Sequence, residues 1–284
     1  MTVKTINLEE VQAKVQNVFP MPQILAKIMR VVNDPTASAA TLEQIFKYEP
    51  SFTLKILTLA NSAYYGSPGK ITNIRAAITL LGFNLIKSIA IHASVNEFFN
   101  FGTTNSIFSG YELWKHSVGV GVCAKMISRR LKLGNAEDFF TLGILHDVGL
   151  IIEYQFYREP FLAVMARLQG RVASLLETEQ EMLGTDHAAL SQLICDKWNL
   201  PKTMGQALRY HHDPLEAPAS VQAQACALYV ANEIVKQKQY GFFYPTPAGL
   251  DARAQELLKI SADDLEVLAE DFDQEIQEMT RMLE

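Results

Sequence analysis

His146 and Asp147 stand side by side in TLGILHDVGLIIEY, residues 141–154, a segment made mostly of apolar side chains. An imidazole beside a carboxylate in such a setting has two readings. The pair can bind metal, or His146 can be a buried neutral imidazole on a carbonyl while Asp147 caps a neighbouring helix. Of the six histidines, His92 stands apart, and His116, His146, His187, His211 and His212 all fall in or beside helical segments from residue 116 onward. Asn232 lies in the middle of ALYVANEIV. A metal site needs several N and O donors converging on one point, and helices provide rigid mounts for them. Imidazole with carboxylate suits Fe, Mn, Zn, Co or Ni. Adjacent residues on one helix point about 100° apart. His146 and Asp147 would therefore serve two neighbouring ions, or divide the work between binding and support. The two oxygens of Asp147 can face different ions, and such a pair can activate water for attack on a phosphoryl group.

Each histidine also has a plainer reading. His116 follows Lys115 and can be a surface residue. His211 and His212 precede Asp213–Pro214 and can simply finish a helix, where cations are favoured. His187 starts a helix, where a charged imidazole is disfavoured, which suits a neutral ligand. Glu112 lies four residues before His116 and shares its helix face.

The elements that must position these residues read as helices. Leu42, Ile45 and Phe46 share a face in LEQIFKYEP, and Pro50 and Gly66 bracket SFTLKILTLANSAYYG. Asn73 and Asn84 are candidate caps for the two segments that follow. YELWKHSVGVGVCAKMISRRL continues the period, and its VGVGV at 118–122 is the one β-like run. Asn135 with Asp138 resembles a capping box before FFTLGILHDVG. Further helices are expected over 158–169, 172–183, 186–198 and 201–211, with Pro201 at a first helical position. Ser220 could start another. Ser261 with Asp264 opens a last helix striped by Leu265, Leu268, Phe272, Ile276 and Met279, which can pack back or form a homodimer face. The expectation is an all-α protein.

Composition narrows the classes. The chain has 284 residues, 49% hydrophobic and 20% charged, with a net charge of -6. This offers no broad basic face for nucleic acid. LLGFNLIKSIAI looks like a helix-turn-helix around Gly82 and Phe83, but its flanks supply few cations. No apolar run is expected to reach the 18 or so residues of a membrane span. The opening MTVKTINLEEVQAKV carries acidic residues where a signal peptide needs an apolar core. Cys123, Cys195 and Cys226 show no CxxC spacing and read as buried thiols in a reducing compartment, the cytoplasm. Trp114 and Trp198 read as core. The stretch FFNFGTTNSIFSG divides two apolar-rich halves, and its Phe101, Ile107 and Phe108 suggest that it is packed down.

Taken in order, Glu112, His116, His146–Asp147, His187, His211–His212 and Asn232 resemble the HD superfamily of metal-dependent phosphohydrolases, and most nearly its cyclic di-GMP-hydrolysing HD-GYP branch. FPMPQILAKIMRVVNDP, IFKYEPSFTLKILTLANSAYYG and ITNIRAAITLLGFNLIKSIAI resemble the N-terminal lobe of the HDOD family, the HD-related output domains. The resemblance runs from about Phe19 to about Ile234. It implies an HD-type helical domain preceded by a packed N-terminal helical lobe. The division expected is a lobe over 1–105, a metal-site subdomain over 106–240 and a helical extension over 241–284.

The resemblance implies a bacterial signal-transduction output or adaptor module. It further implies one or two divalent ions on His116, His146, Asp147, His187, His211, His212 and Asn232, with Glu112 in support. The alternative is a divalent-metal-dependent phosphohydrolase acting on a nucleotide or cyclic dinucleotide, with Asp147 as its catalytic residue. Two departures bear on that alternative. Asn232 stands where the pattern has a carboxylate, and Leu150 stands where active HD-GYP proteins have a lysine able to meet substrate phosphate. The GYP signature is also missing. In the N-terminal lobe, Asn61, Tyr64, Tyr65 and Arg75 form either a recognition surface or a capped helix end with half-buried tyrosines. Signalling proteins are the expected partners, with a nucleotide or cyclic dinucleotide as ligand under the alternative. Neither nucleic acid nor a membrane is expected.

Overall fold

The computed structural model describes residues 11, 21–47, 49–62, 65, 70–99, 107–169, 174–242 and 249–283, and among these no strand occurs. The helices are α1 (Gln23–Val32), α2 (Ala39–Phe46), α3 (Pro50–Ala60), α4 (Ile74–Phe99), α5 (Gly110–Leu131), α6 (Ala136–Leu145) and α7 (Val148–Phe156). They continue as α8 (Arg158–Leu168), α9 (Leu175–Leu183), α10 (His187–Lys197), α11 (Lys202–Arg209), α12 (Gln222–Gln237), α13 (Ala252–Leu258) and α14 (Ala262–Leu283), with a 3₁₀ turn at Pro214–Glu216. VGVGV lies inside α5, as its helical period required. The chain divides into two compact units, residues 21–94 with 271–284 and residues 1–20 with 95–270.

The first unit packs Leu25, Ile28, Leu42, Phe46 and Ile56 completely inside. Asn73 caps α4 through a 2.8 Å bond from the Ala76 N–H. Gly82, at φ 78° and ψ 160°, is non-helical and joins two helical segments across a kink, so a second segment does begin in the turn that carries Asn84, with the break itself at Gly82 in α4. Its stretch Ile74–Val95 corrects the expectation about apolar runs: by length and composition it could cross a membrane, with 56% of the most apolar window buried in the fold. Arg75 and Lys87 interrupt the sequence there without breaking the helix.

The second unit carries the histidine-rich segments. Its helices meet at glycines. A Cβ on Gly143 would lie 2.3 Å from Gly121 Cα, so α5 and α6 touch backbone to backbone. That approach brings His116 on α5 to His146 at the end of α6, with ring centroids 5.2 Å apart. Lys125 and Glu137 pair across the same two helices at 2.7 Å. Phe108 packs against Tyr154, Phe161 and Phe242, holding down the segment before α5. Phe101 falls outside the described residues.

Helix ends follow the sequence signals with small shifts. Ser261 and Asp264 form the reciprocal box, each backbone N–H donating to the other's side chain at 3.0 Å. Asn135 does not: it accepts from the Glu137 N–H, and its amide donates to the Asp138 carboxylate. Pro201 sits just before α11, and α12 begins at Gln222 behind Val221. On α14, Leu268, Phe272, Ile276 and Met279 are buried within the chain and Leu265 is half-buried. Trp114 and Trp198 are core residues. The three cysteines are free and buried. Burial pushes the Cys123 thiol up to about 12 and leads the rise of Cys226 to about 11.

Candidate metal centre

Five helices or their ends deliver the donors. His116 rides on α5, His146 ends α6, Asp147 precedes α7, His187 opens α10, and His211 and His212 follow α11. The turn that carries the His146–Asp147 pair is clamped from α10. Ser191 Oγ donates to the His146 carbonyl at 2.8 Å and accepts the Gly149 N–H at 2.9 Å. Gly149 also lets α7 and α10 meet, since a Cβ there would stand 2.0 Å from the His187 carbonyl oxygen. The start of α10 is set by Asp186, whose carboxylate accepts the Ala189 N–H at 2.8 Å.

The donors converge. Asp147, His187, His211 and His212 offer ligand atoms that all lie within 4.8 Å of one another, as do His116, His146 and Asp147. Asp147 belongs to both groups and divides its oxygens between them. Oδ1 stands 3.4 Å from His187 Nε2 and 3.6 Å from His211 Nε2. Oδ2 stands 3.1 Å from His146 Nε2 and 3.8 Å from His116 Nε2. His187 and His212 approach Nε2 to Nε2 at 2.8 Å.

The far ring nitrogens fix which atoms face inward. His146 Nδ1 lies 2.7 Å from the Gly143 carbonyl, and His211 Nδ1 lies 2.7 Å from the Leu208 carbonyl. A carbonyl oxygen only accepts, so each Nδ1 carries a proton and Nε2 is the ring atom left to face the cluster. His187 Nδ1 lies 2.6 Å from Glu179 Oε2, which anchors it in the same way. The inward-facing Nε2 of His146, Nε2 of His211 and Oδ1 of Asp147 are buried and have no hydrogen-bond partner. Leaving such atoms unsatisfied costs about 1–3 kcal/mol each. One cation on each side of Asp147 would satisfy all three. Donors about 2.0–2.2 Å from an ion stand roughly 3–4 Å apart, which suits these spacings.

Electrostatics point the same way. Burial, helped by His146, lowers His116 to about 3, although Asp147 and the Tyr240 backbone oppose it. Burial lowers His211 to about 4 against the pull of Asp147, and with His211 and His187 it holds His212 well below the ordinary histidine value. These rings are neutral at pH 7, the state a ligand requires. Burial opposes ionisation of Asp147, but His146, His211 and His187 outweigh it and hold the carboxyl well below its usual range. His187 differs: burial disfavours its charge, yet Glu179, then Asp147 and Asp186, lift it to about 9.

The other sequence candidates are placed as follows. Asn232 is buried on α12 with its Oδ1 unpartnered, one turn before Lys236, whose charge is felt by His116 and His212. Glu112 has its side chain outside both donor groups. That chain is 42% exposed and meets Lys115 at 3.3 Å. It lies in the first turn of α5, where the helix emerges, and its backbone carbonyl accepts the Phe242 N–H. Leu150 is fully buried in α7 and carries no charge to the site. Asn61 closes its own loop, bonding the Leu57 carbonyl and both backbone groups of Ile71. Arg75 is engaged by Glu43. Tyr65 is half-buried, and Tyr64 falls outside the described residues. His92 is buried in the other unit and joins neither donor group.

Sequence reasoning missed Ser191, Glu179, Glu153 and Lys236. They sit on α10, α9, α7 and α12, and only Ser191, four residues after His187 on the same helix, has a spacing that marks it. Lys236 pairs with Glu233 at 2.8 Å. It lines a cavity of about 380 Å³ together with His212, Gln180, Asp213, Tyr229 and Glu233. This is the polar opening beside the buried donors.

This helical unit turns five imidazoles and one shared carboxylate onto two adjacent points. The chain belongs to the HDOD family, whose domain matches residues 18–214. That span contains every donor above except Asn232. Among solved structures, an HDOD domain protein of unknown function from Geobacter sulfurreducens is 22% identical, with a TM-score of 0.77 and 98% of each chain covered. A presumed phosphohydrolase from Shewanella amazonensis SB2B is 20% identical, with a TM-score of 0.73, covering 96% of this chain and 98% of that one. A presumed signal transduction protein from Marinobacter aquaeolei VT8 is 17% identical, with a TM-score of 0.74, covering 95% of this chain and 60% of that one. Among curated proteins, an uncharacterized protein of Treponema pallidum (strain Nichols) is 19% identical over 227 residues, and the match spans 43% of its length. At these identities the likeness carries the fold.

Proposed function

We propose that this chain is a signal-output module built around a divalent-metal centre, with His116, His146, Asp147, His187, His211, His212 and Asn232 as the ligands. The observation that supports this reading is the set of unpartnered buried donors, His146 Nε2, His211 Nε2 and Asp147 Oδ1, gathered about the Asp147 carboxylate. One ion on each side of Asp147 accounts for both donor groups. Fe, Mn, Zn, Ni or Co suits this ligand set. Bound there, the metal supplies positive charge and ties α5, α6, α10 and the segment after α11 together. The working partners are signalling proteins of a bacterial cytoplasm. The test is elemental mass spectrometry on tag-free protein purified without chelator. Near-stoichiometric transition metal is expected. Protein that stays metal-free after reloading with these ions overturns the reading.

A second reading is a phosphohydrolase acting on a nucleotide or cyclic dinucleotide. It is favoured by the cavity in which Lys236 stands beside His212 and can face an anion, a charge that Leu150 does not provide. Metal-dependent release of phosphate or linear dinucleotide would establish it. Turnover that persists in Asp147→Ala would remove this site from the reaction.

A further inference from the structure

Among the donors described above, His212 is the one that is not fully enclosed. His116, His146, Asp147, His187 and His211 are buried, while His212 keeps partial exposure. Two cavities open onto it. The larger, of about 380 Å³, has Glu177, Asp213, Glu233 and Lys236 in its wall. The smaller, of about 130 Å³, has Asp213, Glu216, Asp251 and Arg253. Each cavity thus has three carboxylates to one Lys or Arg, and that cation is held by a carboxylate of the same wall. Lys236 Nζ meets Glu233 Oε1 at 2.8 Å, and Arg253 Nη2 meets Asp251 Oδ2 at 2.7 Å. The Glu233–Lys236 pair is buried, whereas Glu177, Asp213 and Glu216 lie outside both pairs and are exposed. The openings are therefore rimmed by negative charge. A rim of one sign over low-dielectric walls concentrates counter-ions and speeds their arrival. In the same donor group as His212, His211 Nε2 and Asp147 Oδ1 are buried and unpartnered. A negative mouth that leads to unsatisfied donors suits a cation.

We propose that the two cavities at His212 are the entrance by which a divalent cation reaches the donor cluster, and that Glu177, Asp213 and Glu216 steer it inward without ligating it. The carboxylates act at a distance, through the field at the mouth. Their effect belongs to the rate of metal capture and not to the grip on the bound ion. The steering role rests on the metal reading above, since it needs an ion to deliver.

The test is stopped-flow uptake of zinc by the full-length, metal-free chain, followed with a weak, fast-exchanging chromophoric zinc indicator. Glu177→Gln combined with Glu216→Gln removes two rim charges and keeps the side-chain shapes. Zinc association at low ionic strength should slow about 3–10-fold, and the difference should shrink to within about twofold in roughly 0.5 M salt, where exposed charges are screened. Dissociation, measured by a chase with excess chelator, should stay as in the wild type. Glu266→Gln combined with Glu270→Gln removes the same charge from exposed positions of α14 that line neither cavity, and should leave association within about twofold of wild type. An unchanged association rate in the rim variant, or equal slowing in the α14 variant, overturns the steering role. Faster dissociation in the rim variant overturns it too, because these groups would then hold the ion. Should the double rim variant fail to fold, the two single substitutions decide by the same comparison. A wild type that takes up no zinc overturns the metal reading and the entrance with it. A wild type that takes up zinc no faster than the rim variant overturns the entrance alone.

Discussion

Asp147 turns its carboxylate toward the imidazole of its own chain neighbour, Oδ2 standing 3.1 Å from His146 Nε2. It occupies the N-cap position of α7 yet makes no side-chain cap bond there. The two local readings of the doublet are thereby separated. His146 is indeed a buried imidazole on a carbonyl, but that bond uses Nδ1 and leaves Nε2 facing inward. Asp147 is not a cap, because its oxygens are directed at four histidines.

Asp147 is the one residue common to both donor groups, so its removal should empty both. Asp147→Ala is expected to lose more than about 100-fold in affinity for zinc or manganese, beyond the 10–100-fold typical of residues that only support a ligand. Elemental analysis after dialysis checks this, with circular dichroism to confirm retained helix. Normal metal content in the folded variant would contradict the assignment.

Gly149→Ala addresses the helix contact beneath the site. Its Cβ would stand 2.0 Å from a backbone oxygen, which no rotamer change relieves. α7 and α10 must separate, and overpacking of this kind costs about 1–3 kcal/mol. Thermal unfolding should shift down by several degrees, and metal affinity should fall with it because His187 moves on α10. An unchanged melting temperature would mean that the two helices do not meet as described.

Ser191→Ala removes the clamp on the doublet. The Gly149 N–H then loses its partner inside the protein and the His146 carbonyl loses a donor. Each buried group left unpaired costs about 1–3 kcal/mol. Loss of stability should accompany loss of metal in this variant, and Ser191→Thr should recover part of both. Chemical denaturation with and without added zinc measures the two effects.

The sequence made some of these residues visible and hid others for physical reasons. Histidine and aspartate in apolar helical segments stand out because such segments otherwise exclude polar groups, which is how His146 and Asp147 drew notice. The helical period likewise placed VGVGV inside α5. Glu179 acts from another helix at a position with no local signature, and Ser191, four residues after His187 on α10, shows its grip on the doublet only in the folded contact of α10 with α7. The shared helix face of Glu112 and His116 says nothing about where that helix leaves the core, and only the fold shows the Glu112 side chain 42% exposed beside Lys115. Asn84 marked a real helix start to within two residues, the break falling at Gly82, whose positive φ glycine adopts without strain.

The pH dependence of metal uptake follows from His187. In the metal-free chain Glu179, Asp147 and Asp186 overcome burial and lift His187 to about 9, so the ring is protonated at pH 7. Its Nδ1 is held by Glu179, and an ion must therefore take Nε2 and expel that proton. His116 and His211, at about 3 and about 4, are already neutral and release nothing. Affinity should therefore rise with pH, by about tenfold per unit from this residue, and level off above about 9. Calorimetric titration with zinc at pH 7, in two buffers of different ionisation enthalpy, should report the proton released from His187. Uptake without any proton release between pH 6 and 8 would show that His187 is either neutral beforehand or not a ligand.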